Sequence, residues 1–457
     1  MKIGSTGLIS GERLENWSTS SRRNCGRAML LPLVRIDRYS ALFHTKEWFP
    51  TIRSSWRLGK WDLIKIQIFV AFVSFWSLPV HATVITAATC SSTDVQAAVN
   101  SAVSGDTVKT PGPCTVAFAG TVTVHKGITV SGGGNTTITT SYAFDVQSSA
   151  TVSARITGFT FSGPGDLNNG NIRGSGIKTN ATWRIDHNNF LTAVSCAIAA
   201  WSNAPGLIDH NTFAGGFGVE TIHNFGTGAG DTSGWVDDVT PGGPQMLFVE
   251  DNSFTNPSGS GGVGAALQSY YGARTVVRHN LFIWEGIDQH GTPGSVGARW
   301  WEFYENTFNT PNVNQSEYIT IRAGSGIVFN NHHTGINTSG FHNIVYKEED
   351  TGTWPLAFQV GSGINGQTNQ HNTCGALNSS PAYSWGNDSD MTFSPQSGIQ
   401  PNRDVFDSTT QPASLLRQQM AGDTCLTTYS YIPYTYPHPL QGASSIPAPT
   451  GLAAIVH

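Results

Sequence analysis

Six stretches of the chain repeat one order of apolar and polar positions: an apolar residue, two variable ones, Asn, any residue, then usually Phe. They are Ile185-Asp-His-Asn188-Asn-Phe190, Ile208-Asp-His-Asn211-Thr-Phe213, Val249-Glu-Asp-Asn252-Ser-Phe254, Val277-Arg-His-Asn280-Leu-Phe282, Phe303-Tyr-Glu-Asn306-Thr-Phe308 and Val328-Phe-Asn-Asn331-His-His333. Successive asparagines lie 23, 41, 28, 26 and 25 residues apart. A period of this size marks a solenoid. Helical solenoids need longer periods and amphipathic helices, which these Gly- and Thr-rich segments lack. The expected architecture is all-β, a parallel β-helix of about ten coils between Val122 and Ile364, each coil supplying three short strands stacked ~4.8 Å above the last.

Asn at a sharp corner tolerates left-handed backbone, and stacked copies can hydrogen-bond along the axis. The Phe two residues later should point inward and stack on its neighbours. An open end of such a helix exposes unpaired strands and needs a cover. Within Ser92 to Ser104, Asp94 reads as an N-cap and Val95, Ala98, Val99 and Val103 share one helical face, which predicts a capping helix. Residues from about 367 to 440 form an irregular C-terminal cap carrying Trp385, Phe406, Tyr431, Tyr434 and Tyr436. Residues 83–440 are therefore one domain, and 441–457, rich in Ala, Pro and Ser, a linker or tail.

Composition supports the all-β reading. Charged residues are 12% of 457, and there are 51 glycines. Residues 1–82 carry 12 Lys/Arg against 5 Asp/Glu, and the remainder 13 against 25. A body at −12 is a poor polyanion binder, which argues against a nucleic-acid partner. Leu63 to Val80 is an apolar run after Arg57 and Lys60, ending in Val80-His81-Ala82, the pattern of a signal peptide over 61–82. The competing reading is a membrane anchor, for which the 15 residues from Ile66 to Val80 fall short of the ~20 a span requires. Residues 1–60 lack periodicity and read as a non-native or disordered upstream extension. The chain is expected to be secreted and monomeric, with no stable membrane span after cleavage. Cys90 with Cys114 and Cys374 with Cys425 are the expected disulfides, while Cys196, in an apolar run, reads as a buried small residue.

The cysteine pair around an early helix, the Gly105-Asp-Thr-Val108 segment, the IDHNxF coils and the ending Tyr434-Thr-Tyr-Pro-His-Pro-Leu440 resemble the secreted right-handed parallel β-helix proteins of the pectate-lyase-like superfamily. The resemblance covers roughly 83–440 and implies a right-handed coil. It does not select an activity, because the superfamily holds lyases, hydrolases, epimerases and non-catalytic adhesins.

Chemistry is sought where coils bring distant residues together. The first strand of each coil should follow the Phe, giving Ala197–Trp201, Gly218–His223, Ala265–Tyr271, Ile287–His290 and Tyr318–Arg322. Their ends carry Trp201, His223, Tyr270, Tyr271, His290 and Arg322, an axial stripe of about 20 Å. Rings that stack on sugar faces, with imidazole and guanidinium groups for hydroxyls or carboxylates, suit a polysaccharide. His290, flanked by Asp288 and Gly291, is the first choice for a base. Arg299 or Arg274 would neutralise a uronate carboxylate, and Tyr271 would donate a proton or share the base role. His187, His210 and His279, beside the ladder Asn, read as turn residues. The 41-residue step implies an insertion over 224–245, in which Trp235 could cover a bound sugar and Asp237 and Asp238 could hold Ca²⁺. The favoured reaction is β-elimination on a uronic-acid polysaccharide. A glycoside hydrolase would use two of Asp237, Asp238, Asp288 and Glu302, and a binding-only surface protein would need the stripe alone.

Overall fold

The computed structural model describes residues 82–148, 153–176, 182–191, 195–215, 220–228, 233–236, 239–256, 265–291, 296–309, 317–334, 343–346, 360–361, 381–388, 390–393, 399, 401–402, 404–417 and 427–442. The upstream extension, the apolar run of the signal, Asp237, Asp238, Cys374, Cys425 and the tail from 443 lie outside them.

Short parallel strands stack coil upon coil into a β-helix with three sheets. In the first sheet Ile198, Ile222, Leu267, Ile287, Ile319 and Ile344 form one inward column of register partners. In the second, Ile156, Ile185, Ile208, Val249, Val277, Phe303 and Val328 do the same. The third sheet stacks nine strands among the described residues, from Cys114–Val116 to His332–Thr334. Its inward rings Phe161, Phe190, Phe213, Phe254, Phe282 and Phe308 lie 4.6–4.9 Å apart, within 12° of parallel. β-branched residues in two sheets and rings in the third fill the narrow interior, where alternate residues of each strand point inward.

The asparagines form one ladder. Each Oδ1 accepts the backbone N–H and the Nδ2–H of the preceding coil's Asn, from Asn188 through Asn211, Asn252, Asn280, Asn306 and Asn331 to Asn387, at 2.9–3.2 Å. Asn387 is a seventh member 56 residues beyond Asn331. The left-handed backbone falls one residue earlier than expected, at His187, His210, Asp251, His279, Glu305, Asn330 and Gly386, with φ of 51–62°. The Asn therefore serves the ladder, and the turn strain sits on its neighbour. His187 and His210 donate to Asp186 and Asp209, as turn residues.

The capping helix runs Ser92–Ser101, with Ser91 as its N-cap: Ser91 Oγ accepts the Asp94 N–H at 3.2 Å. Asp94 is thus in the first turn, where its charge suits the helix dipole. Val95, Ala98 and Val99 are buried against the first coils, whereas Val103 lies past the helix end and is 53% exposed. The Cys90–Cys114 disulfide ties this cap to the third sheet.

The C-terminal segment differs from the expected end cover. Ala382–Trp385 and Val405–Ser408 add two further rungs to the second sheet. The described residues from 427 to 442 then run along the outer side of that sheet. A second apolar layer forms there from Leu207, Phe248, Val276, Trp300, Tyr304, Ile327, Phe329, Tyr383, Trp385 and Tyr431. Two arginines buried in it are paired and also bond the C-terminal segment. Arg184 pairs with Asp209 at 2.7 Å and donates to Leu440 O. Arg278 pairs with Glu250 at 2.6 Å and donates to Tyr434 O and Thr435 O.

Candidate functional site

The outer side of the first sheet holds the expected stripe. Ala200, Asn224, Ser269, Gln289 and Ile321 are register partners pointing inward, so the next residue of each strand turns outward. Those residues are Trp201, Phe225, Tyr270, His290 and Arg322. The ladder continues through them, with N–H groups of Phe225, Tyr270, His290 and Arg322 bonded to O atoms of Ala200, Asn224, Ser269 and Gln289 at 2.8–3.1 Å. The rings form a run: Trp201 to Phe225 centroids are 4.4 Å apart, Phe225 to Tyr270 5.9 Å and Tyr270 to His290 4.5 Å, all stacked. Tyr271 sits in the turn into the second sheet with φ 45°, held by Tyr271 N to Val296 O and Thr227 N to Tyr271 O, both 3.0 Å. Its ring is 5.7 Å from that of Tyr270.

A parallel outward column, two residues back, reads Ala199, His223, Gln268, Asp288 and Thr320. Arg322 crosses to it and binds Asp288 through two of its three nitrogens, Nε to Oδ1 at 3.1 Å and Nη2 to Oδ2. Gln268 Nε2 reaches the same carboxylate at 3.4 Å, and Tyr270 OH donates to Gln268 Oε1. His290 donates from Nδ1 to Gly291 O. That bond sets the tautomer and puts the lone pair of the neutral ring on Nε2.

His223 belongs to this second column, and Phe225 takes the place expected for it. Its ring is 2% exposed and donates from Nδ1 to Leu167 O at 2.9 Å. Burial lowers its pKa to about 4, so it is neutral and structural rather than a contact for solvent-borne ligands.

Four expected site residues are elsewhere. Trp235 is fully buried; Arg299 donates to its carbonyl at 3.1 Å and stacks over its ring at 5.3 Å. Both side chains are buried against each other, so neither is offered to solvent beside the stripe. Arg274 is buried at the start of Arg274–Arg278 as the register partner of Trp300, in the covered layer. Glu302 is also there, accepting from Gly242 N, Trp300 Nε1 and Tyr431 OH at 2.8–2.9 Å, and burial pushes its carboxyl above the ordinary range. Sequence reasoning missed Phe225 and Gln268. Counting inward and outward alternation back from the ladder would have found both. Among the described residues no group of three or more His, Cys, Asp or Glu could hold a metal ion.

No family model and no curated protein matches this sequence. Among solved structures it is similar to a PL6 family alginate lyase, AlyGC, at 14% identity over 78% of this chain, with a TM-score of 0.38. An arginine-to-alanine mutant of that enzyme matches at 13% identity over 77% of this chain, with a TM-score of 0.35. The chain spans 57% of the length of each. Likeness at this level does not bear on which reaction the site performs.

Proposed function

We propose that this is a secreted, monomeric protein that cleaves a uronic-acid polysaccharide by β-elimination on the outer face of the first sheet. The observation that carries the reading is the single outward column Trp201, Phe225, Tyr270, His290 and Arg322, one residue per coil. Trp201, Tyr270 and His290, which stay partly exposed, offer ring edges to sugar C–H groups and hydroxyls, and the cationic end suits a carboxylate.

In elimination, a base removes the proton next to the carboxylate, the C4–O bond breaks, a C4–C5 double bond forms, and the leaving oxygen takes a proton. His290, through Nε2, is assigned the base, and Tyr271 the acid. The neutralising role expected of Arg299 or Arg274 passes to Arg322, whose guanidinium is oriented by Asp288 beside His290. Hydrolysis is the weaker reading. It needs two carboxylates flanking the bond, and Asp288 is engaged by Arg322 while Glu302 is buried in the other face. Calcium would be held by Asp237 and Asp238 if the insertion brings them to the stripe.

The test is incubation with a panel of uronate polysaccharides, following the ultraviolet band of the unsaturated product. Growth of that band is expected. Reducing ends without the band would replace elimination with hydrolysis, and retained binding with neither would leave a lectin-like surface.

A further inference from the structure

The segment from Gly163 to Gly170 does not take the short path from the third sheet to the first. It leaves after Phe161, rises over the outer face, and returns at Ile172. Two contacts fix it to the stripe: Trp201 Nε1 donates to Asn168 O at 2.8 Å, and His223 Nδ1 to Leu167 O at 2.9 Å. Ala199, the outward residue of the coil beneath, is fully buried.

The loop is rigid. Asp166 Oδ1 accepts from Asn168 N, Asn169 N and Asn169 Nδ2 at 2.8–3.1 Å, and Asp166 O accepts from Gly170 N at 2.7 Å. Ser195 N donates to Pro164 O, and Arg173 Nη1 to Asn169 Oδ1, both at 3.2 Å. Gly165, at φ 77°, lies so close to the next coil that a Cβ would stand 2.1 Å from Cys196 O, so this backbone path requires glycine. Such anchoring describes a fixed wall rather than a lid.

We infer that this loop closes one end of the site, so that the face receives the terminus of a polysaccharide chain and not its middle. The inference rests on the proposed function of the same face. A chain lying along Arg322, His290, Tyr270 and Phe225 reaches Trp201 and meets the backbone of Leu167 to Asn169. The terminal sugar stacks at Trp201, and no further sugar can follow along that line. The Arg173–Asp145 pair, 2.8 Å apart on the first sheet beyond the loop, is cut off from the same chain. Cleavage is then end-acting, and release of short products of fixed size follows.

The experiment follows product size and viscosity from the first minutes on a long polyuronate. An end-acting site gives one short product from the outset while viscosity persists. A broad early ladder with a rapid fall in viscosity would overturn the inference and leave the proposed function standing. If the protein binds without turnover, binding capacity is compared for long polymer and short oligomers at equal mass. Capacity that follows the number of chain ends supports the wall, and capacity that follows total length overturns it. Absence of any binding or turnover on all uronates would sink the proposed function and this inference with it. A variant with residues 166–169 replaced by two glycines is expected to release products at least twice as long as the parent's. Unchanged products in a folded variant would place the barrier elsewhere. Should it fail to fold, the product sizes of the unaltered protein still decide.

Discussion

The outer faces of the first and second sheets draw on the same residue types, aromatic rings, arginines and carboxylates, yet they end in opposite states. On the second sheet two arginines of the covered layer pair within the fold, Arg184 with Asp209 and Arg278 with Glu250, and both donate to backbone carbonyls of the C-terminal segment. Apolar rings fill the space between them. On the first sheet the rings stack along the axis, and no described C-terminal residue hydrogen-bonds to them; Arg322 and His290 remain partly exposed. Among the described residues, what separates the two faces is therefore not composition but the segment 427–442, which runs over the second sheet.

The sharpest way to break this comparison is to remove one partner of a buried pair. Arg278→Ala leaves Glu250 buried beside the carbonyls of Tyr434 and Thr435, with its counter-charge gone. An uncompensated buried charge costs about 3–5 kcal/mol. Denaturant unfolding should show a loss of that size, and a loss below about 1 kcal/mol would mean the covered layer is not a fixed part of the fold. The matching change on the first sheet, Arg322→Ala, should cost less, because the Arg322 side chain is 18% exposed where that of Arg278 is fully buried, and Gln268 still donates to Asp288.

A second test uses a carboxylate that neither arrangement serves. Glu285, in the turn before Gly286–Gln289, is 2% exposed and neither oxygen has a hydrogen-bond partner. Burial raises its pKa to about 8. The folded value lies above the unfolded one, so its contribution is fully present below the ordinary value of 4.5 and is lost as pH rises toward 8. Glu285→Gln removes the titration. The stability of variant relative to parent should grow with pH across that window by up to ~1.4 kcal/mol per unit, about 3 kcal/mol by neutrality. Parallel pH profiles for the two proteins would show that Glu285 is solvated or paired.

Much of the fold was legible in the sequence because the coil repeat is a local pattern with a long-range consequence. Asn211 and Phe213 each occupy the same place in the coil as Asn188 and Phe190, so stacking follows from one period. Asn387 escaped notice because 56 residues separate it from Asn331. The stripe was legible to the extent that strand ends could be aligned: Trp201, Tyr270, His290 and Arg322 fall in one column, while the step at Phe225 was misjudged by two residues. Arg274, Arg299, Glu302 and Trp235 were not legible. What buries them lies far away in the chain, at Gly242 and Tyr431 for Glu302 and, for Arg299 and Trp235, at each other across 64 residues. Local pattern carries no information about such a cover.

The open face yields the last two tests. His290→Ala should lower turnover by about 10²-fold or more, the range for removing a general base, with only a small loss of stability because the ring is partly exposed and stacks on Tyr270 alone among the rings of the column. Full activity would remove His290 from the mechanism. Phe225→Ala should be milder. Its ring lies between Trp201 and Tyr270 and meets His223 edge-on at 4.7 Å, and it makes no polar contact. Phe225 is buried under these rings, so it acts through them: if it holds Trp201 and Tyr270 in line, losing it weakens oligosaccharide binding by about 1 kcal/mol, roughly fivefold in KM, with kcat near the parent's. Two outcomes can be told apart by calorimetric binding alongside kinetics. A change in KM with unaltered stability keeps the platform as a binding surface, whereas a fall in stability with unaltered KM would make Phe225 another covered-layer ring and shrink the site to Tyr270, His290 and Arg322.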